Sequence, residues 1–208
     1  MTDTAALVLA GGSAQRMGGG DKPLRLLHGR TLLEHVLAGI DVPLVAISAN
    51  GDPARFARFG LPVLADGAFA GQGPLAGVLA GLQWAESVGA SSLLTVPGDT
   101  PFLPPGMADA LAPAPSCAAS LSQRHHLVAL WRVADRTLLQ TFLSVPGSRR
   151  VSDVAEILAM RYVDFPAADP RWFVNVNTPE DIERLELENA QSDEQNVRIK
   201  LPAGRKDG

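Results

Sequence analysis

Residues Ala6–Ala10 form an unbroken apolar run that stops at Gly11-Gly12 and leads straight into a glycine-rich, cationic stretch, GGSAQRMGGGDKPLRLLHGR over residues 11–30. A strand without alternating polar residues has no face to give to water, so it belongs inside a sheet covered on both sides. Such strands pair in parallel, and parallel strands need crossover helices above and below the sheet. The chain supplies them. Thr31-x-x-Glu34 is a capping-box pattern, after which Leu32, Leu33, Val36, Leu37 and Ile40 fall on one helical face. Leu44–Ser48, Pro62–Leu64 and Ser92–Val96 read as further short strands. Between the last two, Leu75, Val78, Leu79, Leu82 and Ala85 predict a helix over Pro74–Val88.

Beyond a Pro97–Pro105 loop come apolar runs at Ala118–Leu121 and Leu127–Trp131, then helices near Thr137–Leu143 and Val151–Leu158. Strands are predicted near Tyr162–Phe165 and Phe173–Val176. Thr178-Pro179-Glu180-Asp181 then opens a terminal helix to about Asn189. The expected fold is α/β, a mixed but mostly parallel sheet with helices on both faces, whose ligands sit at the C-terminal ends of the strands. With 208 residues, 46% of them apolar, one domain over residues 1–189 is expected. Residues 190–208 form a polar, loosely ordered tail in which Val197, Ile199 and Leu201 alternate as an edge strand would.

Eighteen Lys and Arg against 22 Asp and Glu leave a net charge of −4, which argues against nucleic acid or anionic membrane as partner. An anionic ligand therefore has to be held locally. The lone Cys117 excludes an internal disulfide and multi-cysteine zinc sites, and no run of 18 apolar residues is present. The N-terminus lacks the basic and apolar segments of a signal peptide, so a soluble, cytoplasmic protein is expected.

The loop after the first strand contains neither GxGxxG nor GxxxxGK[ST], which disfavours dinucleotide-fold and P-loop chemistry. It does combine glycines with Arg16, Lys22, Arg25 and Arg30 against the single acid Asp21. This composition suits either a polyphosphate cradle or a solvated basic loop. Asp99, in VPGDTPFLPP, stands at the end of a predicted strand, as a magnesium ligand or as an acid satisfying its own turn. Asp66 in LADGAF invites the same two readings, and Asn50 adds an amide at a third strand end. His125-His126 should point to opposite faces of a strand and have no partner at ligand spacing, so a structural role is expected. Ser13 lacks the GxSxG elbow of a nucleophile.

Five motifs together resemble the molybdenum cofactor guanylyltransferases: LVLAGGSAQRMGGGDKPL, SAN at residues 48–50, GPLAG at 73–77, PGDTPFLP at 97–104 and FVNVNTPED at 173–181. The resemblance, which spans residues 5 to about 189, implies a three-layer, Rossmann-like nucleotidyltransferase fold. It further implies magnesium-dependent transfer of GMP from GTP to molybdopterin, with release of pyrophosphate. By the same resemblance, Leu9, Ala10, Gly11 and Gly12 cradle the nucleoside, Asn50 and Asp66 contact it, and Lys22 meets the phosphates, where Arg16 of the same loop would donate to the same oxygens. Asp99 is the magnesium ligand. Asn175, Asn177 and Arg150, with Arg149 as helper, lie on the molybdopterin side, although VSDVAEILAMRY departs from the family pattern there. The implied partners are GTP, molybdopterin, and cofactor-insertion and molybdoenzyme maturation proteins, with the enzyme a monomer. Gly12 in LAGG accompanies guanine use among the resembled families, where LAAG is usual for cytidine relatives. A cytidylyltransferase on the same pterin, a sugar-phosphate nucleotidyltransferase and a non-catalytic carrier remain the alternatives.

Overall fold

A computed structural model of the chain describes residues 3–11, 21–121, 123–166 and 168–188. In chain order the elements are β1 (Thr4–Leu9), β2 (Leu26–Leu27), β3 (Arg30–Thr31), α1 (Leu32–Ala38), β4 (Val45–Ser48), β5 (Val63–Leu64) and α2 (Pro74–Ser87). There follow β6 (Ser92–Pro97), α3 (Met107–Leu111), β7 (Ser116–Ser120), β8 (Gln123–Arg132), α4 (Arg136–Ser144), α5 (Val151–Ile157) and β9 (Arg161–Asp164). A helix over residues 179–188 ends the described chain.

Seven strands form one sheet in the order β5-β4-β1-β6-β8-β7-β9, and β2 pairs with β3 in a separate hairpin. β5, β4, β1 and β6 run parallel; β8 alone runs against its neighbours, since β7 and β9 return to the common direction. β1 is therefore interior, as its unbroken apolar run requires. Its alternate residues feed two cores. Ala5, Leu7 and Leu9 pack with Leu75, Val78, Leu79 and Leu82 of α2 and with α4 and α5, whereas Ala6 and Val8 pack with Leu33 and Val36 of α1 and with Met107 and Leu111 of α3. Gly81 allows α2 to lie this close, because a Cβ there would sit 2.5 Å from Leu7 Cδ2. Helices thus cover both faces of a mostly parallel sheet, the three-layer arrangement expected.

One expected strand is absent. Phe173 and Val176 are buried, yet the segment between them joins no sheet. Its backbone bonds instead to the loop after β6, Phe173 N donating to Phe102 O at 3.1 Å and Val176 N to Asp99 O at 2.9 Å. Its two apolar ends are buried without a ladder. The residues around Val197, Ile199 and Leu201, and the tail as a whole, lie outside the described residues. Among those described, no helix is long and apolar enough to cross a membrane.

The capping box of α1 is formed in full. Thr31 Oγ1 accepts from Glu34 N at 3.2 Å, and Glu34 Oε2 accepts from Thr31 N at 2.6 Å. These bonds from Thr31, backbone first, hold the Glu34 carboxyl below its ordinary value. Thr31→Ala should cost about 1 kcal/mol in urea unfolding at neutral pH, and Thr31→Ser much less. Because the folded value of Glu34 is depressed, its half of the box contributes fully above the ordinary carboxylate range and is lost as pH falls through the depressed value. The stability gap between wild type and Glu34→Gln should therefore close in acid.

Candidate active site

The parallel strands deliver their C-terminal ends to one rim of the sheet. There the chain steps outward from β1 to β4 and β5, then returns to the other side of β1 as β6, leaving a crevice at the switch point. Leu9 to Gly11, Ser48 to Asn50, Asp66, and Pro97 to Asp99 all reach this rim. Antiparallel β8 brings the opposite end of its strand, His125 to Leu127, to the same place, because its ladder with β6 stops at Thr95 opposite Ala129.

Three cavities adjoin along the rim. One of about 600 Å³ is lined by Leu9, Gly11, Ser48, Asn50, Asp66 and Gly77. Gly77 is needed there, since a Cβ would stand 2.4 Å from Ser48 Oγ. A narrower cleft of about 270 Å³ holds Lys22 and Asp99, and a third, of about 570 Å³, runs on past Asn175 to Arg124, His126 and Arg150. Pro74 and Leu127 border all three.

Lys22 is the pivot of the middle cleft. Its ammonium pairs with Asp99 Oδ2 and donates to Asn177 Oδ1 at 2.6 Å. Among the described residues no donor reaches Asp99 Oδ1. Pro97 and Gly98 set the turn that presents this carboxylate, and Gly98 N donates to Leu9 O at 2.9 Å. A Cβ on Gly98 would press on Pro23, the residue after Lys22, at 3.1 Å. Asn177 is held by the cap of the last helix: Asp181 Oδ2 accepts from Asn177 N at 2.8 Å and from Thr178 N at 3.0 Å. These bonds, the Asn177 one foremost, keep the Asp181 carboxyl below its ordinary value.

Asn50 and Asp66 face each other and close a mutual pair. Asn50 Nδ2 donates to Asp66 Oδ2 at 2.6 Å, and Asp66 N donates to Asn50 Oδ1 at 3.0 Å. Sequence reasoning missed Arg55. This residue lies in the Asp52-capped helical turn Pro53–Phe59, and its guanidinium both pairs with Asp21 and donates to the Asn50 carbonyl. It thereby joins the end of the glycine-rich loop to the end of β4. Nothing in its local sequence marks it, because the partners lie 34 and 5 residues away.

In the third cavity, Asn175 accepts from the buried hydroxyl of Thr100 at 2.7 Å. Arg149 lines the wall but is spent on structure, donating to Gln72 Oε1 and to the carbonyls of Leu143, Val145 and Ser148. Arg150 differs, since its guanidinium donates no hydrogen bond among the described residues and projects into the same cavity. His125 and His126 both line this cavity at the strand end, and their ring partners lie on opposite sides of the sheet as expected, Phe173 in the core beside α1 and α3 and Tyr162 against the core beside α2 and α5. His125 stacks on Phe173 at 4.7 Å, and His126 meets the Tyr162 ring edge-on. Burial lowers the pKa of both, helped by His126 for the first and by Arg124 for the second, so both are mainly neutral at pH 7. Cys117 sits in the core, its thiol pushed up to about 11 by burial. Ala10 turns its side chain into the core beside α1, so only its backbone belongs to the rim. Gly12, Ser13 and Arg16 lie outside the described residues.

A doubly wound sheet with a lysine–carboxylate pair at its switch point, between one cavity of nucleoside size and another of comparable volume, defines a nucleotidyltransferase. Residues 6–162 match the family of the MobA-like NTP transferase domain. The molybdenum cofactor guanylyltransferase of Acidiphilium cryptum is 54% identical over 184 residues, covering 87% of this chain and 93% of that protein. The enzyme of the same name from Mesorhizobium japonicum is 44% identical, covering 86% and 93%. The chain belongs to the molybdenum cofactor guanylyltransferase family. Its fold is also that of molybdopterin-guanine dinucleotide biosynthesis protein A from Archaeoglobus fulgidus, with a TM-score of 0.71 at 22% identity over 90% of this chain and 99% of that one.

Arg55→Ala severs the link between Asp21 and Asn50. It should raise the KM for the nucleoside triphosphate about tenfold, or about 1.4 kcal/mol, with a smaller change in kcat. Asp21→Asn should act similarly, and the double variant should cost less than the two effects added, as steady-state kinetics will show.

Proposed function

We infer that the protein transfers GMP from GTP to the phosphate of molybdopterin, forming molybdopterin guanine dinucleotide and releasing pyrophosphate. The observation that carries this reading is the Lys22–Asp99 cleft set between two larger cavities and sharing Pro74 and Leu127 with each. Two substrates seated in those cavities meet at one charged point.

On this reading GTP occupies the cavity at the ends of β1, β4 and β5. The backbone of Leu9, Ala10, Gly11 and Gly12 and the Asn50–Asp66 pair hold the nucleoside, while Lys22 and Arg16 meet the phosphates. Molybdopterin occupies the cavity of Asn175 and Arg150, with Asn177 at its inner end through Lys22. An acceptor phosphate oxygen is already anionic near neutral pH, so attack on the α-phosphorus needs no activated serine or cysteine. What the residues supply is alignment and neutralisation of charge. The Lys22 ammonium passes from Asp99 to the incoming phosphate oxygens, with Asn177 steadying it, and stabilises charge on the departing pyrophosphate.

The donor set also fits magnesium. No cluster of three His, Cys, Asp or Glu occurs among the described residues, but Asp99 offers an unpartnered carboxylate oxygen toward the phosphate cleft. One carboxylate plus substrate phosphates and water is how Mg²⁺ is commonly bound. Held by Asp99, such an ion would supply Lewis-acid stabilisation of charge on the phosphates. The enzyme works as a cytoplasmic monomer on this view and passes its product to cofactor-insertion and molybdoenzyme maturation proteins.

Pyrophosphate release by the purified protein tests this, with Mg²⁺, molybdopterin and either GTP, CTP or ATP, against controls without pterin. Release that needs molybdopterin and occurs with GTP alone is expected. Release with CTP would identify a cytidylyltransferase, and GTP binding without turnover would identify a carrier. Asp99→Asn should lower kcat at least about a hundredfold while the protein stays folded; wild-type rates at saturating GTP would remove Asp99 from the metal role.

A further inference from the structure

Five consecutive residues of β8, Arg124 to Val128, line the cavity assigned above to molybdopterin. The cavity lies at the end of this strand, and the pairing of the same stretch with β7 is irregular. Cys117 stands opposite Ala129, but the next residue, Ala118, stands opposite His125, so His126, Leu127 and Val128 have no partner on β7. They form a bulge, a device that bends a strand and re-aims its side chains.

The bulge is tied down from the β6 side. Beyond the last ladder pair, the Thr95 hydroxyl donates to the Leu127 carbonyl at 2.9 Å and accepts from Trp131 Nε1 at 2.8 Å. It also lies 3.4 Å from the Ala129 carbonyl. Thr95 and Trp131 are completely buried, so no water competes. An indole N–H can only donate, which leaves the threonine proton to point at the bulge. Leu127 is thereby fixed at the corner where all three cavities meet, with His126 beside it on the third and the Val128 side chain anchored in the core.

We propose that this bulge is the specificity wall for the second substrate, with His126 as a specificity-determining residue and Thr95 as the positioning residue that holds the wall. The proposal rests on molybdopterin occupying the third cavity. His126 and Arg124 give the wall ring surface and N–H donors, which suit a flat heterocycle with ring nitrogen and carbonyl acceptors. The nucleotide, held by the ends of β1, β4 and β5, does not depend on His126.

The full-length chain is assayed with Mg²⁺, GTP and molybdopterin, and the KM of each substrate and kcat are measured for wild type, Thr95→Val, Thr95→Ser and His126→Ala. Thr95→Val and His126→Ala should each raise the molybdopterin KM about tenfold and leave the GTP KM within about twofold. Thr95→Ser, which keeps both hydrogen bonds, should stay within about threefold of wild type for both. If Thr95→Val does not fold, His126→Ala and Thr95→Ser decide. A molybdopterin KM unchanged in His126→Ala, a GTP KM that rises equally, or a serine variant as impaired as the valine one would each overturn the wall while leaving the transferase standing. Wild-type protein that releases no pyrophosphate with molybdopterin would overturn the function and the wall together.

Discussion

One ammonium group gathers the active rim. Lys22 follows the glycine-rich loop, Asp99 ends β6 and Asn177 precedes the last helix, and Lys22 lies 77 and 155 residues from its two partners. Closing such long loops costs chain entropy that two polar contacts do not repay. The two-sided burial of β1 and β6 has to supply it. The core therefore comes first in the energetic order, and the site is what it brings together at its edge.

Net negative charge and an anionic ligand are reconciled by the same geometry. Asp99 pairs with Lys22 and Asn177 accepts from it, so the ammonium is kept in place with its charge offset. Asn50 and Asp66 likewise satisfy each other until a ligand competes. Arg149 and Arg150 show how narrowly role depends on packing. Adjacent in sequence and alike in chemistry, one is consumed by backbone carbonyls at the end of α4, and the other is left to face the cavity.

Much of the fold was legible. β1, β4, β6, α1 and α2 lie within a residue or two of their expected bounds, because each carries a complete periodic pattern, a cap, or a glycine or proline stop. The β2–β3 hairpin and α3 were not read, being two to five residues long and too short to establish a period. Phe173–Val176 misled, since a short apolar segment looks the same whether its backbone pairs with a strand or with a loop. The bulge in β8 was not legible either, because it shows only in the register against β7.

For the site, the glycine-rich loop, Lys22, Asp99, Asn50 and Asp66 stood out because each follows a strand that the sequence itself reveals. Arg55, Thr95 and the wall of β8 did not, since their partners come from other parts of the chain. The sequence by itself determined a two-sided α/β sheet, the strand ends where chemistry gathers and the motifs of one enzyme family, all of which rest on local periodicity and turn chemistry. Only the tertiary structure decided which arginine is spent, which strand bulges and what Lys22 holds. Those choices turn on hydrogen bonds between segments that approach one another only after the core has packed.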